Sequence, residues 1–418
     1  MANGQITELQ PEEHPKVYQR IPRPQWISRF PHPTISHFSK AEFFGYILAC
    51  IIQFFPNTFW KLCPHWISQW FHWCPTSKQT LEKAEKEVFS NLKHPYEVEY
   101  TNIGKCCEKV DSFIRTVSLN KDSDKTPIVL LHGFACGLGV WIMNLDSLSS
   151  SRSVYAVDLL GFGLSSRPPF SSDALEAEMQ FFICKYYIFL KTSLEKWRES
   201  IGLDKFILLG HSFGGYIAAS YALHYPERVA LLILVDPWGL PEKPISHLHR
   251  YDLDSWVKFL DSFLQGFNFL ASVRAAGPIG PYLVRHFRSD LLRKYGRLME
   301  NPHCILEYIY HCNVQHPSGE AAFKSMTDKS GWAKYPMMYR LNSLDWKIPI
   351  TLVYGSRSWI NRQPGLQIKY SRLNSFVDVQ VIEGAGHHVY ADKPQEFNSL
   401  INRVCDNLES GVLHMRNI

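Results

Sequence analysis

The run Ile207-Leu208-Leu209-Gly210-His211-Ser212-Phe213-Gly214-Gly215 constrains this chain more than any other stretch. A short Ile/Leu-rich segment has the character of a buried strand, and it leads straight into G-x-S-x-G and small residues. The pattern then becomes helical and closes at Tyr225-Pro226. A strand, a tight glycine turn and a helix together raise one hydroxyl above the end of a sheet. Glycines at 210, 214 and 215 keep side chains out of that turn. The N–H of Phe213, at the helix start, is placed to meet a developing oxyanion.

The segments around this turn supply what such a hydroxyl needs. Pro127-Ile128-Val129-Leu130-Leu131 reads as a buried strand ending in His132-Gly133-Phe134, and the Phe134 N–H is the expected second oxyanion donor. Val154 to Asp158 is the next strand, with Asp158 read as a turn residue. Val229 to Val235 follows the glycine turn and ends at Asp236-Pro237-Trp238-Gly239. Residues 241–345 lose the strand–helix rhythm. They suggest amphipathic helices around Trp256–Leu264 and Tyr282–Met299, punctuated by Gly277-Pro278 and Gly280-Pro281. Such an insertion is expected to form a helical cap over Ser212. The rhythm resumes at Ile350–Gly355 and at Val377 to Ile382, before Gly384-Ala385-Gly386-His387. A closing helix is expected with Asp392 as N-cap and Gln395 in the capping-box position.

The order Ser212, acid, His387 is that of an α/β-hydrolase: a mostly parallel sheet with an inserted helical cap. His387 follows the last strand, where a base must stand to reach the Ser hydroxyl, and is preferred to His388. The acid belongs on the loop after Ile350–Gly355, which reads Ser356-Arg357-Ser358-Trp359-Ile360-Asn361. Asn361 orients an imidazole but offers no charge to an imidazolium. Asp236 is the alternative acid, one strand away. Three states stay open: a slow Ser-His-Asn site, a Ser-His-Asp236 site, and a scaffold without hydrolysis.

The N-terminal part has a different character. Residues 1–40 are polar and Pro-punctuated, and read as a flexible lead. Residues 41–95 hold an apolar run too short to span a bilayer, then Trp60, Trp66, Trp70 and Trp73, then a charged linker helix from Thr80 to Leu92. Indoles favour the depth where acyl chains meet headgroups, so this segment is read as an interfacial anchor. The hydrolase core is expected over 96–240 and 346–410, with the cap at 241–345. A helical region at 174–201 contains an apolar piece, 181–191, that fits no surface helix. The net charge of +5 suits an anionic membrane surface, and no basic cluster is dense enough for nucleic acid. Ten cysteines without a C-x-x-C, and no secretory leader, read as free thiols in a reducing compartment. No metal and no cofactor are called for.

His132-Gly133-Phe134, Asp158-Leu159-Leu160-Gly161-Phe162-Gly163, Glu307-Tyr308-Ile309-Tyr310-His311-Cys312-Asn313, Gly331-Trp332-Ala333 and Gly386-His387-His388-Val389-Tyr390-Ala391-Asp392 resemble alpha/beta-hydrolase domain-containing proteins 4 and 5. With the glycine turn, the resemblance runs from about Trp66 to the last helix. One branch of that family keeps the nucleophile Ser and is a lyso-lipase for N-acyl phosphatidylethanolamines. The other carries Asn there and is a lipid-droplet coactivator of a triglyceride lipase, with acylation of lysophosphatidic acid also ascribed to it. Ser212 sides with the first branch, whereas Arg357-Ser358 and Gly386 are similar to the second. The family's acid position carries Asp, and Asn361 departs from it. His387 and Asp392 match an acyltransferase-type H-x4-D pattern, better explained by a catalytic base followed by a helix cap. The resemblance implies a lipid substrate and a cytoplasmic protein peripheral to lipid droplets or endoplasmic reticulum membrane, with mitochondrial association and a triglyceride-lipase partner as further implications.

Overall fold

The computed structural model describes residues 76–107, 110–168, 190–243, 269–297, 299–328 and 330–414. All of these fall in one compact unit, Gln69–Ile418. The lead at 1–40, the four anchor tryptophans, the apolar residues 181–189 and the helix expected around Trp256–Leu264 lie outside the described residues.

Among the described residues eight strands form one sheet in the order β1-β2-β4-β3-β5-β6-β7-β8. β1 (Glu97–Cys107) and β2 (Val110–Leu119) are antiparallel, and β2 pairs antiparallel with β4 (Val154–Val157). From β4 onward the sheet is parallel, through β3 (Ile128–Leu131), β5 (Phe206–His211), β6 (Val229–Val235), β7 (Ile350–Gly355) and β8 (Val377–Ile382). The central strands read as unbroken apolar runs because both faces are covered. Alternate side chains enter opposite cores. Ile207, Leu209, Leu231 and Ile233 go to one, while Leu208, Leu232 and Leu234 go to the other with the helix Phe213–His224. Each such buried side chain contributes about 1.5–3 kcal/mol.

The charged linker helix forms as Lys78–Phe89, closed by a capping box between Ser77 and Thr80. One buried ion pair fastens it to the sheet. Arg115 of β2 donates its Nε–H to Glu85 Oε1 at 3.1 Å, with a second, short contact from the same guanidinium to that oxygen. Between β6 and β7 the described residues are helical, at Phe269–Ala275, Gly280–Phe287, Ser289–Tyr295, His303–Val314 and Ser318–Met326. The single helix expected over Tyr282–Met299 is two helices, interrupted at Arg288 (φ −115°, ψ 32°). The Gly-Pro pairs start turns of helix, because Pro281 stands in the first turn, where its missing N–H costs nothing.

The capping expectation at the last helix is corrected. That helix is Pro394–Glu409 with Lys393 before it, and Asp392 ends a separate short turn, Val389–Asp392. Asp392 Oδ2 instead accepts the N–H of Gly386, at 2.8 Å. Its carboxylate is spent on the loop that carries His387.

Candidate active site

Ser212 sits between β5 and its helix with φ 52° and ψ −116°, a conformation a non-glycine residue holds only when its surroundings enforce it. Those surroundings are tight. A Cβ at Gly210 would lie 2.3 Å from the Gly214 carbonyl oxygen, and one at Gly214 would lie 2.4 Å from the His132 carbonyl oxygen. The turn is also stitched to the neighbouring strand end. Ser212 N–H donates to Val235 O at 3.0 Å, and Trp238 N–H donates to Ser212 O at 3.2 Å.

His387 Nε2 is 3.0 Å from Ser212 Oγ, and His387 Nδ1 is 2.5 Å from Asp236 Oδ2. An ionised carboxylate only accepts, so Nδ1 carries the proton and Nε2 presents its lone pair to the Ser hydroxyl. Asp236 is fully buried at the end of β6, itself at φ 45°, and the Gly355 N–H points to its Oδ1 at 3.4 Å. Asn361 does not meet the imidazole. It is exposed, and its Oδ1 accepts the N–H of Gln363 at 2.9 Å in a local turn. The carboxylate facing the ring is therefore Asp236, and the expectation placing Asn361 there is corrected.

The other histidines nearby are held neutral. His211 is buried and donates Nε2–H to His387 O at 2.9 Å; burial and then His387 push its pKa well below the usual value. His132, also buried, has its pKa lowered to about 4 by desolvation. Its Nε2 accepts the Leu159 N–H at 3.0 Å. His388 points toward the cap, where Lys294 Nζ donates to its Nδ1 at 3.4 Å, and burial depresses its pKa strongly. Lys294 also reaches Asp290 at 3.3 Å and Asp392 at 3.4 Å, tying the helix Ser289–Tyr295 to the His387 loop. Asp158 is a turn residue: its carboxylate accepts the N–H groups of Leu138 at 2.6 Å and Leu164 at 2.7 Å.

Phe134 follows β3 and Phe213 opens the helix after Ser212. Neither N–H donates a hydrogen bond among the described residues, so both are available to an oxyanion. Asn313 of the cap donates to Ala135 O at 2.9 Å and holds the Phe134 turn. Phe323, from the helix Ser318–Met326, packs against both oxyanion-side rings and against Trp238, at centroid distances of 4.3, 5.0 and 4.9 Å. The result is an aromatic wall beside the hydroxyl. On the other side Trp359, 70% exposed, lies 5.0 Å from the His387 ring. Phe323 and Trp359 escaped the sequence reading because neither belongs to a motif with fixed spacing.

A family model described as the alpha/beta hydrolase fold matches residues 126–394. The chain belongs to the α/β-hydrolase family. Among its relatives, the (lyso)-N-acylphosphatidylethanolamine lipase of Homo sapiens is 43% identical over 335 residues, covering 80% of this chain and 94% of the lipase. The Homo sapiens protein named 1-acylglycerol-3-phosphate O-acyltransferase ABHD5 is 45% identical over 335 residues, 80% of this chain and 92% of its own. These similarities agree with the resemblance to domain-containing proteins 4 and 5. Among solved structures, naproxen esterase from Bacillus subtilis superposes with a TM-score of 0.51 at 19% identity, covering 78% of this chain and 97% of the esterase. A membrane phospholipase A, a bacterial virulence factor, gives 0.53 at 20% identity, with coverages of 79% and 91%. Those two share the fold.

Proposed function

We propose that this α/β-hydrolase is a serine hydrolase of lipid esters, of the (lyso)phospholipid or N-acyl phospholipid class, working through Ser212, His387 and Asp236. The observation that carries the reading is the continuous relay from the Ser212 hydroxyl through His387 to a buried carboxylate. Ser212 Oγ attacks the ester carbonyl carbon while His387 Nε2 takes its proton. The N–H groups of Phe134 and Phe213 receive the resulting oxyanion. Collapse expels the alcohol, which leaves with the proton from His387, and water then releases the acid from Ser212 by the same relay. The aromatic wall around Phe323 suits an acyl chain. Both relatives are named for acylated glycerophospholipids, N-acylphosphatidylethanolamine in one and 1-acylglycerol-3-phosphate in the other, which supports this substrate class.

A fluorophosphonate probe should label the wild-type chain and not the Ser212→Ala variant, with fatty acid released from N-acyl phosphatidylethanolamine by the wild type alone. An unlabelled wild type ends the hydrolase reading. The competing reading, a coactivator of a triglyceride lipase, is motivated by Asn361, Arg357 and Gly386, and Asp236 at His387 Nδ1 removes the first of these grounds. Equal stimulation of such a lipase by wild-type and Ser212→Ala protein would favour it. Acyl transfer to lysophosphatidic acid would use the same acyl-Ser212 with an alcohol in place of water. The H-x4-D spacing lends it nothing further, since Asp392 binds Gly386 and Lys294.

The lipid surface is the second part of the proposal. Among the described residues no helix is long and apolar enough to cross a membrane. Peripheral attachment to lipid droplets or endoplasmic reticulum membrane falls to the segment with Trp60, Trp66, Trp70 and Trp73. Deleting residues 41–75 should move the protein from the membrane and droplet fractions to the soluble one, as measured by flotation. Unchanged flotation refutes the anchor.

A further inference from the structure

The loop after β7 is where chain order leads one to expect the acid, and it still serves the acid without supplying it. Ser358 Oγ makes a short hydrogen bond to Asp236 Oδ2, the oxygen that also receives the His387 Nδ1–H. The same Ser358 oxygen accepts the Ile360 N–H at 3.1 Å, which occupies a lone pair and leaves its proton for Asp236. We infer that Ser358 is a positioning residue that clamps the Asp236 carboxylate in the plane from which it holds His387. The inference rests on the proposed Ser212–His387–Asp236 relay.

Two features of the Asp236 carboxylate call for an external clamp. The carboxylate is fully buried, and a buried carboxylate costs free energy for every oxygen lone pair left unanswered. Among the described residues the one backbone donor directed at it, Gly355 N–H, stands at 3.4 Å and on the other oxygen. Ser358 answers both from the adjacent strand's loop by donating to Oδ2. Trp359, next in the chain, lays its ring beside His387, so one dipeptide touches both the acid and the base. The hydroxyl touches no atom that reacts. Its effect passes through the carboxylate to the imidazole and appears in turnover more than in binding.

The test uses the full-length chain with p-nitrophenyl butyrate, a soluble ester that needs no lipid surface. Ser358→Ala should lower kcat by roughly 10–100-fold, the range for losing a hydrogen bond to a charged group, and leave KM within about twofold. Ser358→Thr, which keeps the hydroxyl, should restore kcat to within about threefold of the wild type. In proton NMR, the His387 Nδ1–H resonance should shift in Ser358→Ala and return in Ser358→Thr. Wild-type kcat in Ser358→Ala overturns the inference. So does a loss of kcat with an unmoved resonance and no recovery in the Thr variant, which is the mark of packing alone. Asp236→Asn serves as the control: full activity there strikes at the relay itself, whereas its loss alongside an active Ser358→Ala strikes only at the clamp.

Discussion

Asp236→Asn should lower kcat by about 10⁴-fold, the loss seen when the orienting acid of a serine protease is replaced by its amide. The size follows from two roles that one carboxylate performs. It fixes Nδ1 as the protonated nitrogen, so Nε2 is free to receive the Ser212 proton, and it balances the imidazolium that then forms. An amide in the same buried place can present its NH2 group to the ring and stabilise the opposite tautomer. It offers no charge in a site where solvent cannot replace it. KM should change little, because Asp236 touches no substrate. Asn361→Asp, by contrast, should leave kcat within about twofold, since that side chain is exposed and engaged with Gln363. Steady-state kinetics on the two variants decide the point: a severe loss in Asn361→Asp, or a mild one in Asp236→Asn, contradicts the geometry.

The second large effect is on stability. Arg115→Met should destabilise the fold by about 3–5 kcal/mol at pH 8, because it strands the Glu85 carboxylate under the linker helix. Burial, then Asp158, raises the Glu85 pKa from 4.5 to about 7 even with Arg115 beside it. Its Oε2 has no hydrogen-bond partner among the described residues. Without the guanidinium the folded-state value rises further above the unfolded one. A carboxyl with a raised folded pKa contributes stability that is complete below about pH 4.5 and is lost as pH climbs through the folded value. The deficit of the variant should accordingly be smaller at pH 5.5, where Glu85 is protonated, and grow by up to about 1.4 kcal/mol over the one pH unit from 7 to 8. Urea unfolding at the two pH values measures it. A deficit of equal size at both would show that packing of the Arg stem, and not charge, is what Arg115 contributes.

The parallel sheet was legible because its strands are covered on both faces and therefore announce themselves as apolar runs between glycine-rich turns. Ser212 and His387 were legible for a related reason. Each sits on a turn whose neighbours, Gly210 and Gly214 in one case and Gly384 and Gly386 in the other, leave a pattern in the chain. The acid was not. Both β6 and β7 end at the same edge of the sheet, and a carboxylate from either can address an imidazole arriving from β8. Which one does so depends on loop conformation, and the sequence offers Asp236 and Asn361 without ranking their directions. Ser358 was less visible still, because a lone hydroxyl on a loop carries no periodicity. Asp392 misled for the opposite reason: the Asp-Lys-Pro-Gln string has the form of a helix start, but Pro394 begins the helix after Asp392 has already turned back to Gly386.

The hydrogen bonds that join the Ser212 turn to the end of β6 make the spacing of hydroxyl and carboxylate a property of the sheet. The imidazole comes to them on a separate arm, held by His211 from below and moored to the cap through Lys294. Two members of the relay thus share one platform, while the third stands on a loop tied both to the sheet and to the cap. Whatever displaces the cap must pull on that arm through Lys294 and on the Phe134 turn through Asn313.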